Sequence, residues 1–254
     1  MLTIRIVGTQ SAGTARDVSA RGFMEQHRAW ARRVFAPILA GASLRDRLIA
    51  CVGALIGIAL TALICARFPM APLPVLLAPV GASAVLLFAV PASPMAQPWP
   101  IAGGNVVSAL VGVTIAALVH QPALAAGLAV SGAIFAMSLL RCLHPPGGAV
   151  ALTAVVGGPA ILGAGYWFAL APIGVNSVIL VLTGWLFHRF SGHSYPHRAV
   201  IAHGGFHPEA IDQALADLGE TFDVSREDLD LLLQRATFHD RARRIATARG
   251  RRRG

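Results

Sequence analysis

Apolar residues fill the middle of this chain almost continuously from Leu48 to Phe187, and they are interrupted by proline and glycine instead of charge. About 20 apolar residues in a helix cross a hydrocarbon core of roughly 30 Å, so this pattern is typical of membrane helices. It predicts an all-α, polytopic membrane helix bundle. Six apolar segments can be delimited: Leu48–Ala66, Pro74–Val90, Ile101–Val119, Ala123–Leu140, Ala149–Val156 and Trp167–Phe187.

Composition agrees with a membrane location. The 254 residues are 55% hydrophobic and only 13% charged, and the mean hydropathy is +0.63. Soluble domains carry about 25% charged residues. No Asp or Glu occurs between Asp46 and Glu209, and only Arg67 and Arg141 are charged within the apolar region. A soluble fold could not leave so much chain without a polar surface, so this class is excluded.

The net charge of +9 comes from arginine, because the chain has no lysine. Arginines flank the apolar region, which the positive-inside rule explains without nucleic acid as a partner. We therefore expect a bacterial inner-membrane protein with an even number of crossings and both ends in the cytoplasm. The flanking residues are Arg28, Arg32, Arg33, Arg45 and Arg47 before the first segment, and Arg189 and Arg198 after the last.

Three regions are expected along the chain. Residues 1–40 form an N-terminal cytoplasmic segment that is partly disordered, and residues 41–190 form the membrane domain. Residues 191–254 form a cytoplasmic tail, with a short helix between Pro208 and Gly219. Ser225 and Asp228 predict a cap that opens a second helix reaching about Ala246. The Arg-rich end that follows is expected to be disordered.

An internal repeat aligns two helix breaks. LAPVGASAVLLFAV at 77–90 matches LHPPGGAVALTAVV at 143–156, which pairs Pro79 with Pro145. Downstream, Asn105 and Asn176 each begin a further apolar stretch. Each half therefore reads as a helix, a broken helix and a helix carrying an Asn. A chance likeness between two apolar, small-residue helices is the alternative explanation.

The repeat allows two topologies. If all three elements of each half cross the bilayer, the halves form an inverted 3+3 repeat with six crossings. If the broken elements are re-entrant, there are four full crossings and the halves are parallel. Arg141 is cytoplasmic with six crossings and external with four, so we favour the inverted repeat.

The two breaks are the predicted site. A broken helix is tolerated in lipid only where its freed backbone groups face protein or a water-lined cavity. The helix that starts after a break presents N–H groups and a partial positive charge, at Gly81, Ala82 and Ser83 in one half and at Gly147, Gly148 and Ala149 in the other. With no carboxylate nearby, two facing N-termini suit a small anion. The alternative is that the Pro-Pro-Gly-Gly run is an ordinary surface turn.

Other polar residues each allow two interpretations. His144 could titrate or contact a ligand, or could cap a helix end, and Arg141 could attract an anion or anchor the topology. The two asparagines could bind ligand or join helices. The three cysteines are interpreted as small apolar fillers. No metal, cofactor or enzyme chemistry is predicted. The candidate substrate-binding residues are Pro79, Gly81, Ala82, Ser83, Asn105, Arg141, His144, Pro145, Pro146, Gly147, Gly148 and Asn176.

With these motifs in view, the sequence resembles the HPP family of integral membrane proteins over roughly residues 40–200. The resemblance implies four or more membrane helices and, from plastid and cyanobacterial relatives, a link to nitrite transport. The tail also resembles the linker that leads into CBS modules in many bacterial members. The sequence up to Gly254 contains no such module. The matching motifs are His144-Pro145-Pro146-Gly147-Gly148-Ala149, Pro79-x-Gly81-Ala82-Ser83, the Pro91–Pro98 loop, Gly103-Gly104-Asn105, Asn176 and Tyr195-Pro196.

These observations predict a transporter or channel for a small inorganic anion, with nitrite as the first candidate. The alternative is a membrane scaffold that transports nothing and whose cytoplasmic tail binds a partner. The small-residue helix faces permit a homo-oligomer without requiring one.

Overall fold

The computed structural model describes residues 43–68, 72–198, 206–218 and 222–251, so the predicted N-terminal segment 1–40 lies outside the described residues. Every regular element in these ranges is helical, which confirms the all-α bundle. The helices are α1 Leu44–Cys65, α2 Ala78–Ala89, α3 Pro98–Leu118, α4 Pro122–Leu139, α5 Pro145–Val156, α6 Pro159–Ala164, α7 Val175–Ser191, α8 Pro208–Leu218 and α9 Arg226–Arg251.

Within the described residues, four helical stretches are long and apolar enough to cross a bilayer: α1, α3, α4 and Ala169–Ser191, in which a π-helical turn leads into α7. That turn is irregular because Ala171 precedes Pro172 and is extended, with φ −138° and ψ 121°. Helices α2 and α5 have 12 residues each. At 1.5 Å per residue each is about 18 Å long, well short of the hydrocarbon core.

The start of α5 differs from the prediction. The sequence reading placed a break at Pro145–Gly148 and a new segment from Ala149, whereas these four residues form the first turn of α5. Proline is well suited to that position because its fixed φ matches the helix and its missing N–H would have no partner there. Helix α3 likewise begins at Pro98, three residues before the predicted Ile101.

Contacts fix the directions of the long helices. Gly53 near the start of α1 packs against Phe187 near the end of α7, while Cys65 at the end of α1 bonds Asn176. These two helices are therefore antiparallel. Helix α3 is also antiparallel to α7, because Thr114 in its last third bonds Tyr166, which lies before α7.

The short helices continue this alternation. Helix α2 is parallel to α7. Its Leu87 carbonyl lies 3.0 Å from His188 near the end of α7, and its earlier residue Ser83 shares the Asn105 amide with Ser177 near the start of α7. Helix α5 is parallel to α3: Gly104 packs against His144, and Gly112 against Ala151.

Helix α4 is antiparallel to α3, because the Trp99 indole N–H donates to the Leu140 carbonyl. Among the described residues, α1, α2, α3, α4, α5 and α7 thus alternate in direction along the chain. The end where α1 begins and α7 finishes is called the tail end below.

Glycines allow the close approaches between helices. A Cβ on Gly57 would lie 2.5 Å from Phe88, and one on Gly184 would lie 2.5 Å from Leu87, so α2 packs tightly against both α1 and α7. A Cβ on Gly53, Gly57, Gly112 or Gly132 would in each case meet an atom of a neighbouring helix.

The tail contains the two predicted helices. Ser225 accepts a hydrogen bond from the Asp228 N–H, which is the predicted cap of α9. Helix α9 continues to Arg251, beyond the predicted end near Ala246 and into the stretch expected to be disordered. Alanine and arginine are both strong helix formers, which accounts for the extra turn. Residues 252–254 lie outside the described residues.

Two glycine-to-alanine substitutions test the α3–α5 contact. In Gly112→Ala the new Cβ would lie 2.6 Å from the Ala151 carbonyl oxygen, whereas Gly127 in α4 has nothing within 4 Å of that position. We expect Gly112→Ala to cost about 1–3 kcal/mol through overpacking. Gly127→Ala should be neutral or gain up to about 1 kcal/mol from helix propensity. Unfolding of both variants in detergent measures this, and equal stabilities would contradict the packing.

Candidate functional site

A buried polar network joins α2, α3, α5 and α7 inside the apolar bundle. The Asn105 Nδ2 of α3 donates to Ser177 Oγ at 3.0 Å and to Ser83 Oγ at 3.3 Å. Ser83 Oγ lies 2.8 Å from the Nε2 of His144, the residue that precedes α5. All four side chains are at most 1% exposed. The two broken helices therefore meet through side-chain hydrogen bonds.

The second ring nitrogen of His144 is also held. Its Nδ1 lies 2.9 Å from the Met95 carbonyl oxygen, which can only accept, so Nδ1 carries a proton and donates. Ser83 Oγ has an additional acceptor within reach, the Pro79 carbonyl at 3.1 Å. His144 was expected either to act at a site or to cap a helix. It occupies the position before the first helical residue without a side-chain cap bond, and its ring serves the network.

A second buried pair adjoins the network. The Cys65 Sγ lies 2.8 Å from Asn176 Oδ1 and donates to it, linking the end of α1 to α7. The interpretation of this cysteine as an apolar filler was therefore wrong, since its S–H is a hydrogen-bond donor. Asn176 is fully buried, and it directly precedes Ser177 of the network.

Two atoms of this region have no hydrogen-bond partner among the described residues: the Asn105 carbonyl oxygen Oδ1 and the Asn176 amide nitrogen Nδ2. Buried polar atoms are nearly always paired, and leaving one unpaired costs about 1–3 kcal/mol. One free acceptor and one free donor thus lie on the two asparagines of the two halves. Such unmet hydrogen bonds are what a bound polar solute would supply.

The helix N-termini differ from the expected anion cradle. Pro145 and Pro146 have no N–H, and the Gly147 N–H donates to the His144 carbonyl. In α2, Pro79 lacks an N–H and the Val80 N–H donates to Leu77. Of the donors predicted at the two breaks, the Gly147 N–H is therefore already bonded, and the neighbouring prolines and Val80 offer no free N–H. The partial positive charge of each helix N-terminus remains.

The glycines of the breaks also face differently from the prediction. Gly81 and Ala82 lie on the exposed side of α2, and nothing approaches a Cβ position on Gly81 within 4 Å. Gly147 is buried, and a Cβ there would lie 2.5 Å from Ser108 Oγ and 2.9 Å from the sulfur of Met137. Gly148 is half-buried. Gly147 is thus a helix-packing position in this structure.

Arg141 stands apart from the network, at the tail end. It is exposed and has φ 54°, the only described non-glycine residue in the left-handed region. There it closes α4, with its own N–H bonded to Ser138 and the Cys142 N–H bonded to Met137. It lines a groove of about 370 Å³ beside the start of α5; the lining residues are Pro94, Met95, Pro100, Ser138, Arg141 and Leu143. The α2 break is not part of that lining.

The loop of residues 91–97 forms one wall of this groove and also holds His144. Its Ala96 carbonyl accepts from the buried Tyr195 hydroxyl at 3.0 Å. Its Ser93 hydroxyl lies 2.8 and 2.9 Å from the two carboxylate oxygens of Asp223 in the tail. Burial raises the pKa of the Tyr195 phenol, which keeps it a donor. The tail is thus bonded to the loop that contacts the network.

A further tail contact uses His197 and Asp228. The His197 N–H donates to Gln97 of the same loop, and its Nε2 lies 3.0 Å from both oxygens of Asp228. Burial raises the pKa of Asp228, but hydrogen bonds from Ser225 and His197 together bring that pKa below its ordinary value. The favourable contribution of this carboxylate is therefore present above the unfolded-chain pKa of about 4 and is lost as pH falls further.

The structure brings together four predicted residues: Ser83, Asn105, His144 and, beside them, Asn176. Sequence reasoning missed Ser177 and Met95. Ser177 could have been suspected because it follows Asn176 in a charge-free span. Met95 contributes through its backbone carbonyl, which carries no sequence signal.

This combination of four full-length helical stretches, two short helices that begin at prolines, and a polar network between them defines a multi-pass membrane protein with two broken helices. A family model described as "HPP, transmembrane region" matches residues 40–196. The chain therefore belongs to the HPP family of membrane proteins.

Two proteins of Dictyostelium discoideum, both described as transmembrane proteins, are similar to this chain. One is 41% identical over 131 residues, covering 50% of this chain and 46% of that protein. The other is 40% identical over 120 residues, covering 46% of this chain and 38% of that protein. The chain thus matches less than half the length of these relatives. No solved structure matches it significantly.

The contact between tail and loop can be tested with two matched substitutions in α9. Asp228→Asn removes a carboxylate that bonds His197, whereas Asp240→Asn removes one that pairs with the exposed Arg244 on the same helix. We expect Asp228→Asn to speed hydrogen exchange of the backbone amides in residues 193–198 and 226–235 at neutral pH. Asp240→Asn should leave those residues unchanged. Identical exchange in both variants would show that the tail is not held through Asp228.

Proposed function

We propose that this HPP protein is a transporter or channel for a small inorganic anion, with nitrite as the first anion to test. The observation that supports this most directly is the Asn176 Nδ2, a fully buried donor without a partner among the described residues. A donor of this kind stabilises a negatively charged solute and rejects a metal cation. It adjoins the network that joins the two broken helices.

Electrostatics support an anion over a cation. The sequence has no carboxylate between Asp46 and Glu209, so no fixed negative charge within the spans competes with an anion. A buried charge requires a partner of opposite sign or dense hydrogen bonding. The hydroxyl of Ser177 accepts from Asn105 and keeps its own proton to donate. This hydroxyl is a second donor on α7, on the residue that follows Asn176.

The route proposed for the anion begins at the groove of the tail end. Arg141 is an exposed cation at its edge, where it raises the local concentration of anions. The 91–97 loop separates this groove from His144 and the network behind it. The buried network is closed to solvent in this structure, so passage requires the loop or the short helices to move. Alternating access of this kind is common in transporters built around broken helices.

We also propose that the bundle is an inverted 3+3 repeat with six crossings. The helix directions support it, because α1, α2 and α3 run opposite to α4, α5 and α7 in the same order. The short helices α2 and α5 fall within the aligned stretches 77–90 and 143–156. Arg141 lies at the same end of the bundle as Arg45 and Arg189. Under the positive-inside rule this end faces the cytoplasm of a bacterial inner-membrane protein.

A membrane scaffold whose tail binds a partner is the second candidate. Its support is the exposed apolar surface of the tail, where Leu232 is 63% and Phe238 is 65% exposed. A scaffold would leave the unpaired polar atoms of the two asparagines without a purpose, so we favour transport.

Anion flux in liposomes tests the proposal. Purified protein should raise the permeability to nitrite above that of protein-free liposomes, with nitrate and chloride as further tested anions. Asn176→Asp keeps the oxygen that bonds Cys65 but replaces the free donor with an oxygen, so we expect it to reduce flux at least about tenfold, equivalent to 1.4 kcal/mol. Gln121→Glu makes the same amide-to-acid change at an exposed helix start and should not reduce flux.

Two results would contradict the proposal. Permeability at the protein-free level for all three anions would leave the scaffold as the better account. Flux that is equal in Asn176→Asp and in the parent protein would remove Asn176 from the pathway. Thermal unfolding of both variants in detergent serves as the control for folding.

A further inference from the structure

The surroundings of His144 suit both of its protonation states. In the neutral state Nδ1–H donates to the Met95 carbonyl, and Nε2 accepts from the Ser83 hydroxyl at 2.8 Å. In the doubly protonated state Nε2–H donates to Ser83 Oγ. The serine hydroxyl then rotates to donate to the Pro79 carbonyl at 3.1 Å. In both states His144 stays bonded to the Met95 carbonyl and to Ser83 Oγ, so the proton can bind without rearranging the backbone.

The charge of a protonated His144 needs compensation. His144 is fully buried, and an uncompensated buried charge is costly. The facing residues of α2 and α3, Ser83 and Asn105, are uncharged. On the connection that carries His144, the titratable or charged groups are Arg141 and Cys142. On the surrounding elements they are His188 of α7, Tyr195 after α7, and Asp223, which reaches the 91–97 loop through Ser93.

Of these groups only Asp223 is a carboxylic acid, and its contact is with Ser93 and not with His144. A mobile anion beside the network is the remaining source of compensating charge. The unpaired Asn176 Nδ2 and the Ser177 hydroxyl mark where such an anion would find donors. Proton and anion would each favour the binding of the other, which is reciprocal linkage between two sites.

We infer that His144 carries a proton together with the anion, so that the protein catalyses electroneutral proton–anion symport. This inference rests on the proposed function. The proton enters at His144 from the side that supplies the anion and leaves on the other side with it. No bond of the anion is made or broken, and one positive and one negative charge cross together. His144 is thereby assigned as the proton-binding residue, and Ser83 as the residue that positions it.

The test uses the full chain in proteoliposomes that hold a pH-sensitive dye and potassium. Nitrate is used beside nitrite, because nitric acid is a strong acid and does not itself carry protons through lipid. An inward anion gradient should acidify the interior in step with anion uptake. Setting the membrane potential with valinomycin should leave the uptake rate unchanged. Lowering the external pH should increase uptake.

Substitution of His144 makes the test specific. In His144→Gln the side chain can still bond Ser83 but cannot titrate, so internal acidification should disappear and uptake should no longer respond to pH. His120→Gln is the same change at an exposed position after α3, and this variant should retain both the internal acidification and the response of uptake to pH. If His144→Gln fails to fold, Ser83→Ala provides a second readout. It removes a partner of the protonated ring, so uptake should require a lower pH while remaining proton-coupled.

Three outcomes would overturn the inference. Uptake without internal acidification, driven by membrane potential, would show that the protein moves the anion alone. Proton-coupled uptake that persists in His144→Gln would place the proton elsewhere. Uptake at the level of protein-free liposomes at every pH and potential would overturn the proposed function itself and the inference with it.

Discussion

A helix inside a bilayer cannot exchange hydrogen bonds with water, so every polar group it exposes must find a partner within the protein. This constraint is most demanding where α2 and α5 stop short of the full thickness of the membrane. Proline removes part of the requirement, because Pro79, Pro145 and Pro146 have no N–H to satisfy. The polar side chains inside the bundle bond one another: Asn105 bonds two serines, and Ser83 bonds His144. This network joins the two broken helices within the apolar bundle.

The same network connects the interior to the tail. His144 bonds the Met95 carbonyl, and the loop that carries Met95 is bonded in turn to Tyr195, His197 and Asp223. A displacement of this loop would open the network to the groove beside Arg141 and remove a partner of His144 at the same time. Access to the site and the hydrogen bonding of His144 are thus coupled, because the loop that moves carries the Met95 carbonyl that His144 bonds. Against this background of satisfied groups, the two unpaired atoms of Asn105 and Asn176 stand out as places for a solute.

The sequence was sufficient for the spans, for the two breaks and for four polar residues of the site, because a charge-free apolar run makes each remaining polar group conspicuous. It was insufficient where the outcome depends on distant contacts or on backbone atoms. Cys65 bonds Asn176 across 111 residues, and Met95 acts through its carbonyl. The Pro145–Gly148 run has the composition of a turn, yet it forms the first turn of α5 because the preceding His144 is fixed by α2 and the loop. The sequence marks Gly147 as part of a motif, but only its packing against Ser108 shows that it allows the close contact between α5 and α3.

The central claim is that the buried amide of Asn176 is a binding group for an anion. The chain contains only two asparagines, so protein labelled with nitrogen-15 at asparagine gives two pairs of side-chain amide signals, and Asn176→Asp assigns them. Nuclear magnetic resonance spectra of the labelled protein in detergent, recorded while nitrite is added, measure binding at this atom. The account predicts a saturable shift of the Asn176 side-chain signal, with nitrate and chloride as comparisons. A side-chain signal of Asn176 that stays unchanged at anion concentrations that support flux would contradict it.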